Sequence, residues 1–373
     1  MYKKLGLQIL LLSAASVSLD AKLISGGCCT AGEDIEKVQV RLAIESFQPD
    51  VHIKEQIQED KDLRVKMKNL FFETDSPDAN EAQKKVCQKA IDEYGAKKIA
   101  LKTRDNYDIK ALYFERPTAQ VNIIYVTGYF HDLTPPKEWA TNLAVLHSEK
   151  ANILTFDWRG FGESSGTNNL LEKGAFGTNA YLDIFAVVDF IRSQNKLPIV
   201  LHGFCFGGSM ILHAMIKAQE EGKKLADAVG FSSLSTSFQQ LFDNAATAED
   251  RWGYWFLLQS GLSKAIVEYQ VSENGSPFDL KPIEMIKKMT VPCWFDHSTG
   301  DQFAKLENGI AVYKASTAPK MFTQIDFHRH VRAHTQMPFQ YRLAYEKFLM
   351  DNGLIAKGTS AEVNANPEVT AAV

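Results

Sequence analysis

The stretch from Leu197 to Ile216 constrains the fold of this chain more than any other part of the sequence. It begins with a short apolar run, Ile199 to His202, that is typical of a buried strand, and an amphipathic helical pattern starts at Ser209. The segment between them, GFCFGG at 203–208, is rich in glycine, which tolerates a strained backbone and lets a helix pack closely on a sheet. The sequence therefore predicts a strand that turns sharply into a helix, with Cys205 at the turn.

Cys205 stands at the amino terminus of that predicted helix. The partial positive charge of a helix amino terminus favours an anion, and the thiolate is the nucleophilic form of cysteine. We therefore interpret Cys205 as a candidate nucleophile. The alternative interpretation is a small buried apolar residue, which is the common role of a free cysteine.

The composition indicates a globular protein and excludes some partners. The chain has 373 residues, of which 45% are hydrophobic and 11% aromatic, enough for a sizeable core. Its formal net charge is -4 and its lysine pairs are isolated, so no nucleic-acid-binding surface is expected. The five cysteines are irregularly spaced, which predicts neither a disulfide framework nor a zinc site. No cofactor is expected.

The amino terminus has the form of a targeting segment. Lys3 and Lys4 precede an apolar run at 5–17 that ends in small and polar residues, so residues 1–21 are predicted to be a signal peptide or membrane-targeting segment. The adjacent Cys28 and Cys29 offer an alternative site of lipid attachment. We expect an exported protein, periplasmic or secreted, or one associated with a membrane through this end.

Two further regions flank a central domain. Residues 22–97 are charged and have apolar positions at helical spacing, which predicts a helical extension. Residues 98–352 alternate apolar strands with helical stretches, the pattern of a mostly parallel sheet with helices on both faces. The tail at 353–373 has no periodicity and is predicted to be disordered.

Two motifs in the central domain resemble those of the α/β-hydrolases. The run DWRGFGESSG at 157–166 is similar to the D-x-R-G-x-G-x-S-x-G stretch of many members. The segment GFCFGG resembles their nucleophile elbow, G-x-S-x-G, with cysteine in place of serine. In this respect it is more similar to the G-x-C-x-G-G of dienelactone hydrolases and polyhydroxyalkanoate synthases. The resemblance implies an α/β-hydrolase fold.

The resemblance also implies a cap inserted after the sixth strand, at about residues 235–280. This part of the chain is rich in aromatic residues, which suits an apolar acyl group or a ring as ligand. An alternative is that the aromatic side chains only hold the cap to the main domain.

A thiolate nucleophile in acyl transfer needs a histidine, and a carboxylate to orient that histidine. In the family these residues follow the nucleophile, the acid before the base. Asp301 matches the acid of the family pattern H-G-x-x-D after a late strand, with His297 at its histidine and Ser298 replacing its glycine. Asp296 is the alternative acid, although its position closer to the strand suits a residue that caps the turn.

Three histidines are candidates for the base: His328, His330 and His334. The family loop has a proline four residues after its base, and Pro338 stands four residues after His334. The resemblance therefore implies His334 as the base, with His330 as the second candidate. A metal cluster of the three histidines is a further alternative, but their spacing is not that of a known zinc motif.

The remaining element of such a site is an oxyanion hole. The resemblance implies that it combines the backbone N–H of Phe206 with an N–H from the loop after the third strand, where Thr127-Gly128-Tyr129 favours Tyr129 as the donor.

We therefore expect a hydrolase that cleaves an ester, thioester or lactone through a Cys-His-Asp triad and an acyl-enzyme intermediate. Its expected partner is a small-molecule acyl substrate. Two alternatives remain: a cysteine acyltransferase on the same fold, and a non-catalytic ligand-binding protein on a hydrolase scaffold.

Overall fold

The structure is a computed structural model that describes residues 88, 91–128, 150–167, 172–247, 274–326, 330–331 and 333–356. Within these residues, eight strands form one sheet in the order β1-β2-β4-β3-β5-β6-β7-β8. The strands are β1 (Lys97–Lys102), β2 (Asp108–Phe114), β3 (Val121–Val126), β4 (Ala151–Phe156), β5 (Ile199–Phe204), β6 (Ala228–Ser232), β7 (Cys293–Ser298) and β8 (Lys320–Ile325). The first two strands pair antiparallel, as do β2 and β4, and all other neighbours are parallel.

Helices connect the parallel strands. The described α-helices with defined bounds are α1 (Tyr181–Gln194), α2 (Phe206–Glu220), α3 (Phe238–Thr247), α4 (Pro282–Met285), α5 (Leu306–Ala315), α6 (Ala333–Gln336) and α7 (Pro338–Asp351). Short 3-10 turns lie at Thr178–Ala180, Pro277–Asp279 and Ile286–Lys288. Proline begins α7, where its missing N–H costs no hydrogen bond.

The sheet is covered on both faces by hydrophobic clusters. All residues of β3, β4, β5, β6 and β7 are buried, as expected for parallel strands covered by helices. Successive residues of β3 alternate between the clusters: Ile124 packs in the cluster that contains α1 and α2, whereas Ile123 and Tyr125 pack in the cluster that contains α7. The predicted parallel sheet with helices on both faces is confirmed.

A buried ion-pair network holds the loop after β4. The guanidinium of Arg159 is only 2% exposed and donates to the fully buried Asp183 of α1 at 2.7 and 2.9 Å. It also contacts both carboxylate oxygens of Asp105 in the turn between β1 and β2, and it stacks 4.6 Å from the ring centre of Tyr107. The network joins the β4 loop, α1 and the β1–β2 hairpin.

Replacing Arg159 with methionine is expected to lower the free energy of unfolding by about 3–5 kcal/mol, because Asp183 is left buried without its cation. The double variant Arg159→Met with Asp183→Leu should recover most of that loss, since neither charge remains. Urea denaturation measures both. An exposed ion pair contributes at most about 1 kcal/mol. If Arg159→Met lowers the free energy of unfolding by less than this, the buried ion pair with Asp183 does not have this stabilising role.

Several predictions concern residues outside the described ones: the targeting segment at 1–21, most of the helical extension at 22–97, and residues 248–273 of the cap. They stay predictions. The predicted tail begins too early, because Leu354 and Ile355 are 8% and 4% exposed and pack in the cluster of α7. In the described part of the chain, no helix combines the length and apolar character needed to span a membrane.

Candidate active site

The strand-to-helix turn predicted around Cys205 lies between the end of β5 and the start of α2. Cys205 has φ 52 and ψ -120, a positive φ that costs free energy for a residue with a side chain. Its backbone N–H donates to the carbonyl of Ser232, at the end of β6, at 2.8 Å. The turn holds the half-buried thiol at the carboxyl end of the sheet, at the amino terminus of α2.

The glycines around this turn allow close approach of neighbouring backbone. A Cβ atom on Gly203 would lie 2.5 Å from the backbone of Gly208, so a side chain there would separate β5 from α2. A Cβ atom on Gly207 would overlap the carbonyl oxygen of Val126 at the end of β3. The sequence prediction that these glycines permit tight packing of the helix on the sheet is therefore correct.

Asp301 lies in the loop after β7 and is 4% exposed. Its Oδ1 accepts hydrogen bonds from the backbone N–H groups of Phe303 and Ala304 at 3.0 and 2.9 Å. Its Oδ2 lies 2.7 Å from Nδ1 of His330. Burial would raise the pKa of Asp301, but the charge and hydrogen bond of His330 outweigh burial and lower it. This carboxylate is therefore ionised, and the side chain of Ser233 is a further hydrogen-bond partner.

His330 lies between Asp301 and Cys205. Burial disfavours the charged form of His330. The charge of Asp301 has the largest opposing effect, and the charge of Cys205 and hydrogen bonds to both residues add to it. Together they raise the pKa of His330 well above its ordinary value. The imidazole therefore contacts both the carboxylate of Asp301 and the thiol of Cys205. This is the arrangement that orients a histidine beside a nucleophile.

His334, the residue predicted as the base, is not the histidine paired with Asp301. It lies in α6, is 1% exposed, and packs 5.4 Å from the ring centre of Phe204 and 5.9 Å from that of Tyr341. The physical reason is the start of α6 at Ala333, which directs His334 into the core beneath β5. The histidine that contacts Asp301 is instead His330, the second candidate.

Of the two predicted oxyanion donors, Phe206 lies within the described residues and Tyr129 does not. Phe206 is the first residue of α2, and the first N–H groups of a helix have no partner within the helix. Tyr129 lies outside the described residues, but its neighbour Gly128 lies against the thiol residue: a Cβ atom there would be 3.2 Å from Cβ of Cys205. The loop after β3 therefore reaches the turn at Cys205.

Trp158 is a further residue near this loop to which the sequence assigned no role. Its indole Nε1 donates to the carbonyl of Thr127 at 3.2 Å, and its ring packs 5.2 Å from the ring centre of Phe176. The side chain is 1% exposed. It fixes the start of the loop that approaches Cys205. The sequence indicates this role only through the position of Trp158 in the motif DWRGFGESSG.

A second polar cluster lies on the interior strands β5, β6 and β7 and contains Asp296, the alternative acid. Nε2 of His202 is 2.8 Å from Oγ of Ser232 and 3.2 Å from the hydroxyl of Tyr341, and Ser232 donates to Asp296. Although these are the residue types of a triad, the serine lies between the histidine and the carboxylate. His202, Ser232 and Asp296 are 0%, 1% and 3% exposed, so a substrate cannot reach the hydroxyl. We interpret the cluster as structural.

Burial raises the pKa of Asp296 to about 8, and the hydrogen bond from Ser232 offsets only part of the effect. Below that pH the folded protein holds a proton that the unfolded chain releases at its ordinary pKa of ~3.9. Stability from this carboxyl is therefore full below about pH 4 and is lost as the pH rises to about 8. The neighbours that face it include Tyr125, Tyr341 and Tyr345, whose pKa values burial raises well above 10.0.

Asp296→Asn is expected to remove this pH dependence. The free energy of unfolding of the variant, relative to the parent, should increase between about pH 5 and about pH 8, at up to ~1.4 kcal/mol per pH unit. Urea denaturation across this range measures it, and Asp326→Asn, at an exposed carboxylate bonded to Thr299, is the matched control. If the free energy of unfolding depends on pH in the same way in the parent and in Asp296→Asn, the raised pKa of Asp296 is contradicted.

Metal binding finds no support in the described part of the chain, where no group of three His, Cys, Asp or Glu side chains converges to hold an ion. Of the histidines considered as a metal cluster, His328 lies outside the described residues, and His330 and His334 have the separate surroundings given above.

The family follows from comparison with known proteins. The model of the alpha/beta hydrolase family matches residues 123–333, more than half of the 373-residue chain. The chain therefore belongs to the α/β-hydrolase family. The predictions of this family, of its fold and of an enzyme of its hydrolase class are confirmed.

Solved structures show the same fold at low identity. The esterase Pf2001 of Pyrococcus furiosus is similar with a TM-score of 0.53 and 16% identity, over 71% of this chain and 92% of that one. DcsB, in complex with its substrate analogue, has a TM-score of 0.51 and 16% identity, over 69% and 99%. The acylaminoacyl peptidase of Pyrococcus horikoshii has a TM-score of 0.51 and 16% identity, over 73% of this chain and 44% of that one.

Proposed function

We propose that this protein is an esterase-type hydrolase in which Cys205, His330 and Asp301 form the catalytic triad. The observation that carries the proposal is the 2.7 Å contact between Asp301 and Nδ1 of His330, together with the hydrogen bond of the same imidazole to Cys205 on the strained turn. In this interpretation the turn is the nucleophile elbow of the family.

His330 takes the proton of the Cys205 thiol, because its raised pKa favours the imidazolium form. In the first half-reaction the thiolate sulfur bonds to the acyl carbon. The bond from that carbon to the leaving oxygen breaks, and His330 gives its proton to the leaving alcohol. Asp301 keeps the imidazole oriented and stabilises its positive form. The product of this step is a thioester on Cys205.

In the second half-reaction the now neutral His330 takes a proton from water, and the hydroxide oxygen bonds to the thioester carbon. The carbon–sulfur bond breaks, which releases the carboxylic acid and restores the thiolate. The developing oxyanion is held by the N–H of Phe206 and, as the resemblance to the family implies, by that of Tyr129. Such a donor typically contributes ~10²–10³ in rate.

Acyl transfer is the second candidate, and the cysteine itself favours it. A thioester passes its acyl group readily to an amine or alcohol, so an acceptor bound beside Cys205 could replace water in the second half-reaction. An ester panel of increasing acyl length, assayed with and without amine and alcohol acceptors, separates the candidates. Free acid as the dominant product supports a hydrolase, and an acylated acceptor supports a transferase. Binding of the esters without turnover would instead indicate a ligand-binding protein and overturn the proposal.

A further inference from the structure

The loop that carries Asp301 is held at a second point by His297. The carboxylate of Asp301 accepts from the N–H of Ala304 at 2.9 Å, and the carbonyl oxygen of the same Ala304 lies 2.6 Å from Nε2 of His297. His297 is in β7 and is 1% exposed. We propose that His297 is a positioning residue that fixes Asp301 against His330, an inference that rests on the proposed function.

The hydrogen bond sets the tautomer of His297. A carbonyl oxygen only accepts, so Nε2 carries the hydrogen and donates it to Ala304. Burial lowers the pKa of His297, and the positive charge of His330 acts in the same direction, against the carboxylates of Asp301 and Glu307. The lowered pKa favours the neutral ring, which leaves His330 as the main cation beside Asp301.

An independent observation on α5 shows that the fold leaves room for this ring. Gly309 lies in α5, where glycine is less favourable than alanine by ~1 kcal/mol. A Cβ atom on Gly309 would overlap Nδ1 of His297. The absence of a side chain at Gly309 therefore leaves the space that the imidazole of His297 occupies. Any side chain at this position would displace the ring.

Two substitutions separate the hydrogen bond from the shape of the ring. His297→Gln keeps an N–H donor near the position of Nε2, whereas His297→Phe keeps a flat ring without a donor. We expect His297→Phe to lower kcat by about 10²-fold, the effect of a small misplacement of a catalytic group, with KM changed less than about threefold. His297→Gln should recover most of kcat. Because a loosened Asp301 no longer supports the charge of His330, the pKa of His330, measured by NMR of carbon-13-labelled histidine, should fall in His297→Phe.

Gly309→Ala tests the same contact without changing any polar group. It should lower kcat in the same way, although alanine is the better helix former. The matched control is His213→Gln on α2, whose ring packs 5.3 Å from the ring centre of Tyr181, away from Asp301; it should keep the parental kcat. If His297→Phe does not fold, Gly309→Ala decides the question.

The inference is overturned if His297→Phe, or Gly309→Ala in its place, keeps the parental kcat and pKa of His330, or if His297→Gln is no better than His297→Phe. A loss of thermal stability without a change in that pKa would indicate a structural role only. Parallel assays of Cys205→Ala keep the two proposals distinguishable. Activity in Cys205→Ala would refute the proposed function, whereas an inactive Cys205→Ala with a fully active His297→Phe would refute the inference alone.

Discussion

Cys205→Ala is expected to lower kcat for ester hydrolysis by about 10⁴-fold or more, since removal of the nucleophile of a triad removes the covalent route altogether. The fold should persist, because alanine fits the space of the thiol, although the positive φ at this position remains strained. Steady-state assays with an activated ester measure the loss, and circular dichroism verifies the fold.

The control for this variant is Cys293→Ala, at the other described free cysteine. Cys293 is buried in β7, where its thiol donates to the carbonyl of Val291 at 3.3 Å, and burial raises its pKa to about 12. It therefore stays protonated and unreactive at neutral pH. Its replacement should keep kcat within about twofold and affect only stability. Equal losses in the two variants would contradict the assignment of Cys205.

The second large effect is expected at His330. His330→Ala should lower kcat by about 10³–10⁴-fold, because both proton transfers pass through this imidazole and Asp301 has no group to orient without it. His334→Ala should leave kcat within about tenfold, since that ring packs against Phe204 and Tyr341, and should instead lower stability. The assay is kcat for both variants, with urea denaturation alongside.

The same pair of variants distinguishes the two histidines that the sequence left as candidates. If His334→Ala loses activity and His330→Ala keeps it, the base is His334 after all, and the contact between Asp301 and His330 is structural. Asp301→Asn offers a further check, because replacing the acid of a triad lowers kcat by ~10⁴-fold. If His330 is the base, both Asp301→Asn and His330→Ala should lower kcat.

The sequence was informative where local chemistry determines the structure. The short apolar runs at 121–126 and 199–202 predict buried strands, because strands that helices cover on both faces have nearly continuous apolar sequences. The glycines around Cys205 predict the sharp turn because only they allow β5 and α2 to approach so closely. The choice of Asp301 came from the resemblance, because it matches the acid of the family pattern H-G-x-x-D after a predicted strand.

The sequence could not choose the histidine. His330 and His334 are four residues apart, and which of them meets Asp301 depends on where α6 begins, a boundary that tertiary packing sets. The family pattern, with a proline four residues after the base, favoured His334. Pro338 does begin α7 as that pattern implies, but the histidine that Asp301 contacts is His330.

The sequence also contained no indication of the buried cluster of His202, Ser232 and Asp296. His202 and Ser232 stand within apolar strands, and nothing in their spacing indicates that they meet in the core. Their contact arises from the parallel register of β5 and β6, which sequence alone does not supply. The same holds for His297 and Ala304, whose bond depends on the path of the loop after β7.

The measurement that tests the central claim most directly is the identification of the acylated residue. The protein is mixed with an activated ester, quenched in acid within the first turnover, digested, and examined by mass spectrometry. The account predicts one acyl group in thioester linkage to Cys205, released by hydroxylamine and absent from Cys205→Ala. An acyl group on another residue, such as a serine, or turnover without any acylated peptide, would contradict it.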